Sequence, residues 1–174
     1  MLFRRTYPEI FSDEPVKKHP LFAGLSVSDL DEIAPVFTKK EIPPGDSFTA
    51  GNDPDISFFI VVEGQVDVTE TRKEGFGTDA GVLAAGQSAG DMNLLEEGHS
   101  RIDCTARENT RILVLAKRNL DKLLRKESRQ ANRLYLNLCN CVSGRLDELN
   151  SRYTKIIAHI IATNLENLKR RKDD

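Results

Sequence analysis

The spacing of apolar residues changes twice along this chain, and each change predicts a different kind of element. Between residues 19 and 37 apolar side chains recur every three or four positions, as at Leu30, Ile33 and Phe37, which is the period of one face of a helix. Ser28 is predicted to cap this helix, because a serine oxygen accepts a hydrogen bond from the free amides of a first turn. The sequence therefore predicts a helical segment before about residue 39.

Between about residues 39 and 115 the apolar pattern shortens, which predicts strands. Ser57–Val62 and Arg111–Leu115 are apolar runs, and in Gln65–Thr69 valines alternate with polar residues, so that one face of that strand is buried. Glycines such as Gly64 separate the runs. Short strands with glycine turns predict a mainly β fold, an antiparallel barrel or jelly roll with flanking helices.

A helical period returns in the last third of the chain. Asn119–Glu127 is predicted as a short helix, and a long helix is predicted over about 129–168. Its apolar residues alternate at spacings of four and three, which is typical of a coiled-coil seam, at Tyr135, Cys139, Val142, Leu146, Leu149, Tyr153, Ile156 and Ile160. Leu138, Ile157 and Ile161 lie beside this seam. We predict a dimerising helix; the alternative is an amphipathic helix that packs on its own barrel.

Composition and charge limit the functions of the chain. Apolar residues make up 39% and charged residues 30% of its 174 positions, which is typical of a folded domain. The formal charge of −2 and the 6% of aromatic residues argue against direct nucleic-acid binding. Neither an apolar run of about 18 residues nor a signal peptide is found, so we expect a cytoplasmic protein without a membrane partner.

Candidate catalytic and metal-binding residues are sparse. Cys139 and Cys141 are about 200° apart around a helix axis and cannot share a ligand, and Cys104 is predicted to be a small buried side chain. The 3 histidines are scattered, and no nucleophile elbow, phosphate loop or zinc-protease motif occurs. We predict no metal, no catalytic residue and no enzymatic activity.

The segment with the clearest chemistry is residues 85–104, here called the cassette. Its glycines allow backbone amides to approach a ligand closely, Gly90 precedes a predicted helical turn, and Arg101 offers a planar cation that pairs with an anion. Asp91 offers an acceptor for a sugar hydroxyl. An acid together with an arginine suggests a phosphate joined to a ribose.

The cassette resembles that of the cyclic-nucleotide-binding domain family, and most closely the effector domain of the bacterial catabolite activator protein. The residues that carry the resemblance are Ala89-Gly90-Asp91-Met92-Asn93-Leu94, Glu96-Glu97-Gly98 and Arg101-Ile102-Asp103. Further matches over about 19–150 are His19-Pro20-Leu21-Phe22, Pro44-Gly45-Asp46, Ala50-Gly51-Asn52 and Val62-Glu63-Gly64-Gln65-Val66.

The resemblance implies a jelly roll that encloses a cyclic nucleotide, cAMP or cGMP. Asp91 would bind the ribose 2′-hydroxyl and Arg101 the cyclic phosphate. The residues implied at ribose and phosphate are Ala89, Gly90, Asp91, Met92, Arg101 and Ile102, and those implied at the base are Leu149 and Asn150. Four departures weaken the match: Asp91 replaces a glutamate, Met92-Asn93 replaces a leucine and a small residue, Ile102 replaces a serine, and Asp103 adds a negative charge.

We predict an N-terminal arm at residues 1–18, the β domain at 19–127, and the dimerising helix with a charged tail at 128–174. The first hypothesis is a homodimeric cyclic-nucleotide sensor that signals to an unidentified protein partner and needs no cofactor. The alternatives are a ligandless dimerisation scaffold, in which Arg101 pairs with Asp91, a pocket for another anionic ligand, and the effector half of a transcription regulator. Since the chain has no recognition helix after Ile161, we expect no direct sequence-specific DNA binding.

Overall fold

Antiparallel strands form two four-stranded sheets in the computed structural model, which describes residues 8–72, 77–96 and 98–173. The strands are β1 (Phe37–Ile42), β2 (Ser47–Ala50), β3 (Phe58–Glu63), β4 (Gln65–Arg72), β5 (Gly77–Ala84), β6 (Ser88–Ala89), β7 (Ser100–Ala106) and β8 (Thr110–Leu115). One sheet has the order β1-β8-β3-β6 and the other β2-β7-β4-β5. The predicted jelly roll is confirmed, and the three predicted strands are found as β3, β4 and β8.

The interior between the sheets is apolar because alternate residues of most strands face it. Val66 and Val68 of β4 are buried, while Gln65, Asp67 and Thr69 are exposed, as predicted. The interior cluster consists of Ala50, Ile56, Phe59, Val61, Val66, Val68, Ala89, Ile102, Cys104, Ile112 and Val114.

Strand β3 is buried on both faces. Phe59 and Val61 face the barrel interior, whereas Phe58, Ile60 and Val62 belong to a second cluster, which contains side chains from the flanking helices. A strand covered on both sides is a continuous apolar run, which explains why Phe58–Glu63 lacks the alternation of β4. Strand β3 thus separates the barrel interior on one face from the core beneath the flanking helices on the other.

Short helices flank the barrel. The α-helices are α1 (Glu14–Lys17), α2 (Val27–Ile33), α3 (Asp91–Leu95), α4 (Lys117–Leu124) and α5 (Arg129–Asp173), and single 3₁₀ turns lie at Glu9–Phe11, Pro20–Phe22 and Ala34–Val36. The prediction of Ser28 as the cap of α2 was wrong. Ser26 caps it instead, in a reciprocal capping box with Asp29, because the third residue of this helix is the acid that reaches back to the cap amide.

The segment predicted as an N-terminal arm packs into the fold from residue 9 onwards. Phe11 and Val16 are fully buried in the second cluster. Asp13 anchors the segment to the sheet: its carboxylate lies 2.7 Å from Lys39 Nζ and 3.5 Å from the Arg111 guanidinium. The Lys39 hydrogen bond holds the pKa of Asp13 below its usual range, with Arg111 adding to the effect.

The chain divides into two units, residues 1–138 and 139–174, which are described separately. This division lies beyond the predicted boundary at residue 127, because Ala131, Leu134 and Leu138 in the first turns of α5 are buried in the core of the first unit. In the second unit most of α5 is exposed, including Leu146, Tyr153, Ile156 and Ile160 of the predicted seam. Ile157 and Ile161 beside the seam are exposed as well. Within the described part of the chain, no helix combines the length and apolar character needed to cross a membrane.

Replacing Asp13 by Asn should destabilise the first unit by roughly 1.5–3 kcal/mol at pH 7, the usual value of a hydrogen bond to a charged group. The folded pKa of Asp13 is depressed, so its contribution is complete above the unfolded value near 3.8 and is lost as the pH falls through the folded value. Urea unfolding at pH 7 and at progressively lower pH measures the difference. Asp31→Asn, at an exposed carboxylate of α2, is the control. A wild-type advantage that persists unchanged at low pH would contradict the ion pair.

Candidate functional site

Gly90 fixes the entry into α3 at the centre of the cassette. Its φ of +90° is left-handed, and a Cβ built there would lie 2.1 Å from the Ser57 carbonyl oxygen. Any other residue would be strained by the left-handed conformation, and its Cβ would collide with the backbone of Ser57. The cassette therefore packs directly on the residue that precedes β3.

Asp91 begins α3 as a buried acid. Its side chain is 2% exposed, and Oδ1 accepts a hydrogen bond from the Met92 amide at 3.0 Å. Removing a carboxylate from water is costly unless polar groups contact it, so packing alone does not account for the burial of Asp91. An acceptor is thus held inside the cassette at the position predicted for a ribose contact.

Asn93 joins three parts of the site. It is 2% exposed, and its Oδ1 accepts a hydrogen bond from the Ser100 amide at the start of β7 at 2.9 Å. Its Nδ2 lies beside Gly51, where an added Cβ would be 2.5 Å from Nδ2 and 2.1 Å from the Ser100 carbonyl oxygen. Among the described residues, Asn93 Nδ2 has no hydrogen-bond acceptor. The cassette therefore contains a buried amide donor that no described residue of the protein satisfies.

The register of β7 turns Arg101 away from the interior. Ser100 and Ile102 are buried, whereas the Arg101 side chain is 56% exposed on the outer face of the sheet. Its Nε donates to both carboxylate oxygens of Asp103, at 3.0 and 2.9 Å, and Asp103 also accepts from Thr49 Oγ1 at 2.7 Å. The expectation that Arg101 faces into the barrel is not met in this structure, and its salt-bridge partner is Asp103 rather than Asp91.

The physical reason is the two-residue period of a strand. Ile102 faces its partner Ala50 across the β2–β7 pair and belongs to the apolar interior, so its neighbour Arg101 must face outwards. Ile102, predicted beside a phosphate, is thus a core residue. Cys104 is buried on the same face, and burial, with a smaller contribution from Asp103, raises the pKa of its thiol to about 12.

The other predicted site residues lie in different surroundings. Ala89 is buried in the barrel interior and Met92 is half-buried on α3. Leu149 and Asn150, predicted at the base, are exposed on the second unit, and their role remains a prediction. Over the described ranges, no group of three or more His, Cys, Asp or Glu side chains is arranged to hold a metal ion.

Sequence reasoning did not single out Asn93, Ser100 or Gly51 as site residues. The signal for Ser100 was present in the sequence, because Ser100, Ile102 and Cys104 alternate with polar residues and so define the inner face of β7. Asn93 was noted only as part of the Met92-Asn93 departure from the family pattern, because its role depends on a contact with a strand that lies beyond the next turn.

A family model described as the cyclic nucleotide-binding domain matches residues 39–127. The chain belongs to this family. The cyclic AMP receptor protein of Thermus thermophilus is 28% identical over 111 residues, which are 64% of this chain and 51% of that protein. The chain thus spans about half the length of this curated relative.

Solved structures show the same architecture. The catabolite activator protein of Thermus thermophilus matches with a TM-score of 0.63 and 26% identity, over 79% of this chain and 62% of that one. A cyclic nucleotide-binding domain from Methylobacillus flagellatus matches with a TM-score of 0.65 and 22% identity, over 84% of this chain and 81% of that one. At 22% identity, the similarity to the Methylobacillus flagellatus domain shows the fold alone.

Replacing Gly51 by Ala should destabilise the protein more than the same change at Gly45. Both glycines have left-handed φ values, +85° and +82°, so both variants pay about 1–2 kcal/mol of backbone strain. Only at Gly51 would the new methyl group meet the Ser100 carbonyl and Asn93; at Gly45 nothing lies within 4 Å. Denaturant unfolding should show a further loss of roughly 2 kcal/mol for Gly51→Ala. Equal losses would show that the contact between Gly51 and Asn93 is loose.

Proposed function

We propose that this chain is a non-catalytic sensor module that binds a cyclic nucleotide, cAMP or cGMP, in the cassette and acts through a dimer of α5. The observation that carries the proposal is the pair of buried polar groups, Asp91 and Asn93, inside the part of the chain that the family model matches. An unmet buried donor costs about 1–3 kcal/mol, so a ligand oxygen that accepts from Asn93 Nδ2 would recover this energy. Asp91 supplies the matching acceptor for a ribose hydroxyl.

A cyclic phosphate needs a cation, and the nearest candidate in the cassette sequence is Arg101. We propose that Arg101 exchanges Asp103 for the ligand phosphate. An exposed ion pair is worth only about 0–1 kcal/mol, so giving up Asp103 costs little. Arg101 is the second residue of β7, and the exchange therefore involves the start of one strand rather than its buried core positions.

Titration of the purified protein with cAMP and with cGMP tests this proposal by calorimetry and by thermal melting. A ligand present at 100 times its Kd should raise stability by about 2.7 kcal/mol. Arg101→Ala should weaken binding at least about tenfold, the loss of a charge-assisted hydrogen bond. Asp103→Asn should tighten binding up to about fivefold, because the competing carboxylate charge is removed.

Arg107→Ala is the matched control, since Arg107 forms a similar exposed ion pair, with Asp67, and lies just after β7. Its affinity for the nucleotide should equal that of the wild type. Equal weakening by Arg101→Ala and Arg107→Ala would count against a phosphate contact at Arg101. Absence of any shift with either nucleotide would reject the sensor.

A second candidate, a ligandless regulatory scaffold, is favoured by one observation. The Arg101 guanidinium lies outside the barrel with Asp103, and the inner face of β7 contributes Ile102 and Cys104 to an apolar interior. If the protein is such a scaffold, the α5 dimer should form, but neither cyclic nucleotide should change the melting temperature. The same titration therefore separates the two candidates.

The dimer is proposed from the exposed apolar face of α5 in the second unit. Leu146, Tyr153, Ile156 and Ile160 are each more than half exposed, and an apolar patch of this extent is typical of an interface. Their spacing is that of a coiled-coil seam. We propose a second copy of the chain as the partner, because two identical helices with such a seam can pair with each other.

Replacing Leu149 by Asp should shift the protein from dimer to monomer in sedimentation velocity, because a carboxylate would be buried at a seam position. Asn150→Asp introduces the same side chain at the neighbouring position, outside the seam, and should leave the dimer intact. If both variants sediment as dimers, α5 is not the interface.

A further inference from the structure

A groove of about 420 Å³ lies at the root of α5, within the first unit and apart from the cassette. One wall is the loop that contains Gly24 and Leu25, and the other is the start of α5 with Arg129, Arg133 and Leu136. The groove shares no residue with the cassette or with the predicted seam. Neither the nucleotide site nor the dimer therefore explains it.

Two arginines give the groove a positive wall. Arg129 and Arg133 are four residues apart, so they lie one above the other on the same helix face, where like charges repel each other. The Arg133 guanidinium donates a long hydrogen bond, from Nε to the Ala23 carbonyl oxygen at 3.4 Å. This arrangement does not help α5 to form, and it suits an anion supplied from outside.

Asp29 is the acidic residue among those that line the groove, and its carboxylate is already occupied. It accepts hydrogen bonds from the Ser26 amide at 2.8 Å and from the Ser26 hydroxyl at 2.7 Å. The Ser26 bonds are the main reason why the pKa of Asp29 is lowered, and a hydrogen bond from Gln130 and the charge of Arg129 lower it further. One acid against two arginines leaves the groove with a net positive charge.

Gly24 keeps the groove open beside Arg133. A Cβ at Gly24 would lie 2.6 Å from Arg133 Nη2, and its φ of +71° is left-handed. The guanidinium therefore lies against a position without a side chain. Leu136, one turn further along the helix, is 51% exposed and adds an apolar contact next to the two cations.

We infer that this groove binds an acidic segment of a partner protein, with carboxylates on Arg129 and Arg133 and an apolar side chain against Leu136. Small-molecule pockets enclose most of their ligand, whereas Arg129, Asn132, Arg133 and Leu136 are all exposed, so the groove is open along one side. An open wall with alternating cations and an apolar residue fits a peptide with carboxylates one helical turn apart. The inference is independent of nucleotide binding.

The probe is a fluorescein-labelled helical peptide of about fifteen residues, with glutamates at i and i+4 beside leucines, measured by fluorescence polarisation on the full chain. A peptide with glutamine in place of each glutamate controls for charge. The glutamate peptide should bind at least tenfold more tightly than the glutamine peptide. The double variant Arg129→Glu/Arg133→Glu should lose at least tenfold in affinity, and Leu136→Asn several-fold.

The matched control is Arg125→Glu/Lys126→Glu, which reverses two exposed charges outside the groove and changes the net charge by the same amount. It should keep the wild-type affinity, and thermal melting of both double variants checks that they fold. Three results would overturn the inference: equal losses in the two double variants, equal binding of both peptides, or no binding. A change of oligomeric state confined to Arg129→Glu/Arg133→Glu would also overturn it, since the occupant would then be a second copy of this chain.

Discussion

The register of β7 is the constraint on which the rest of the site depends. The strand is paired on both sides, with β2 and with β4, and its inner face contributes Ile102 and Cys104 to the barrel interior. A shift by one residue would move both into water and bring Arg101 and Asp103 inside. The apolar interior therefore decides where the arginine of the cassette lies, and hence how a phosphate is met.

Much of the fold could be predicted from the sequence, because its signals are local. The valines of β4 alternate with polar residues, and β3 and β8 are apolar runs bounded by turn residues, so these strands were found at nearly their observed limits. The start of α5 was also placed correctly at Arg129. The apolar residues of α5 recur at spacings of four and three, which is a local pattern that can be read from the sequence alone.

The errors arose where a non-local contact outweighs a local pattern. The match of Arg101 to a family motif rests on spacing from Gly90, whereas the direction of its side chain is set by strand pairing. Phe11 and Val16 lie in a mainly polar segment without a regular apolar period, so the local sequence does not show that they are buried. At α2 one serine precedes the helix and another is its second residue, and the acid at Asp29 selects Ser26 as the cap.

The two polar surfaces of the first unit differ in how their charges are used. On the sheet that contains β7, exposed arginines pair with carboxylates, Arg101 of β7 with Asp103 and Arg107, just after β7, with Asp67 of β4. At the root of α5 the acid caps a helix and also attracts Arg129, but one carboxylate lies beside two arginines. The same residue types thus neutralise each other on the sheet and leave a net charge beside the helix.

The burial of Cys104 has a practical consequence for studying the barrel. Its thiol is 1% exposed, and with a pKa of about 12 it is almost entirely protonated in neutral solution. Reagents that attack thiolates reach it only when the strands separate. The rate at which the Cys104 thiol is modified therefore reports how often the barrel opens, so the protein contains an internal chemical probe of that motion.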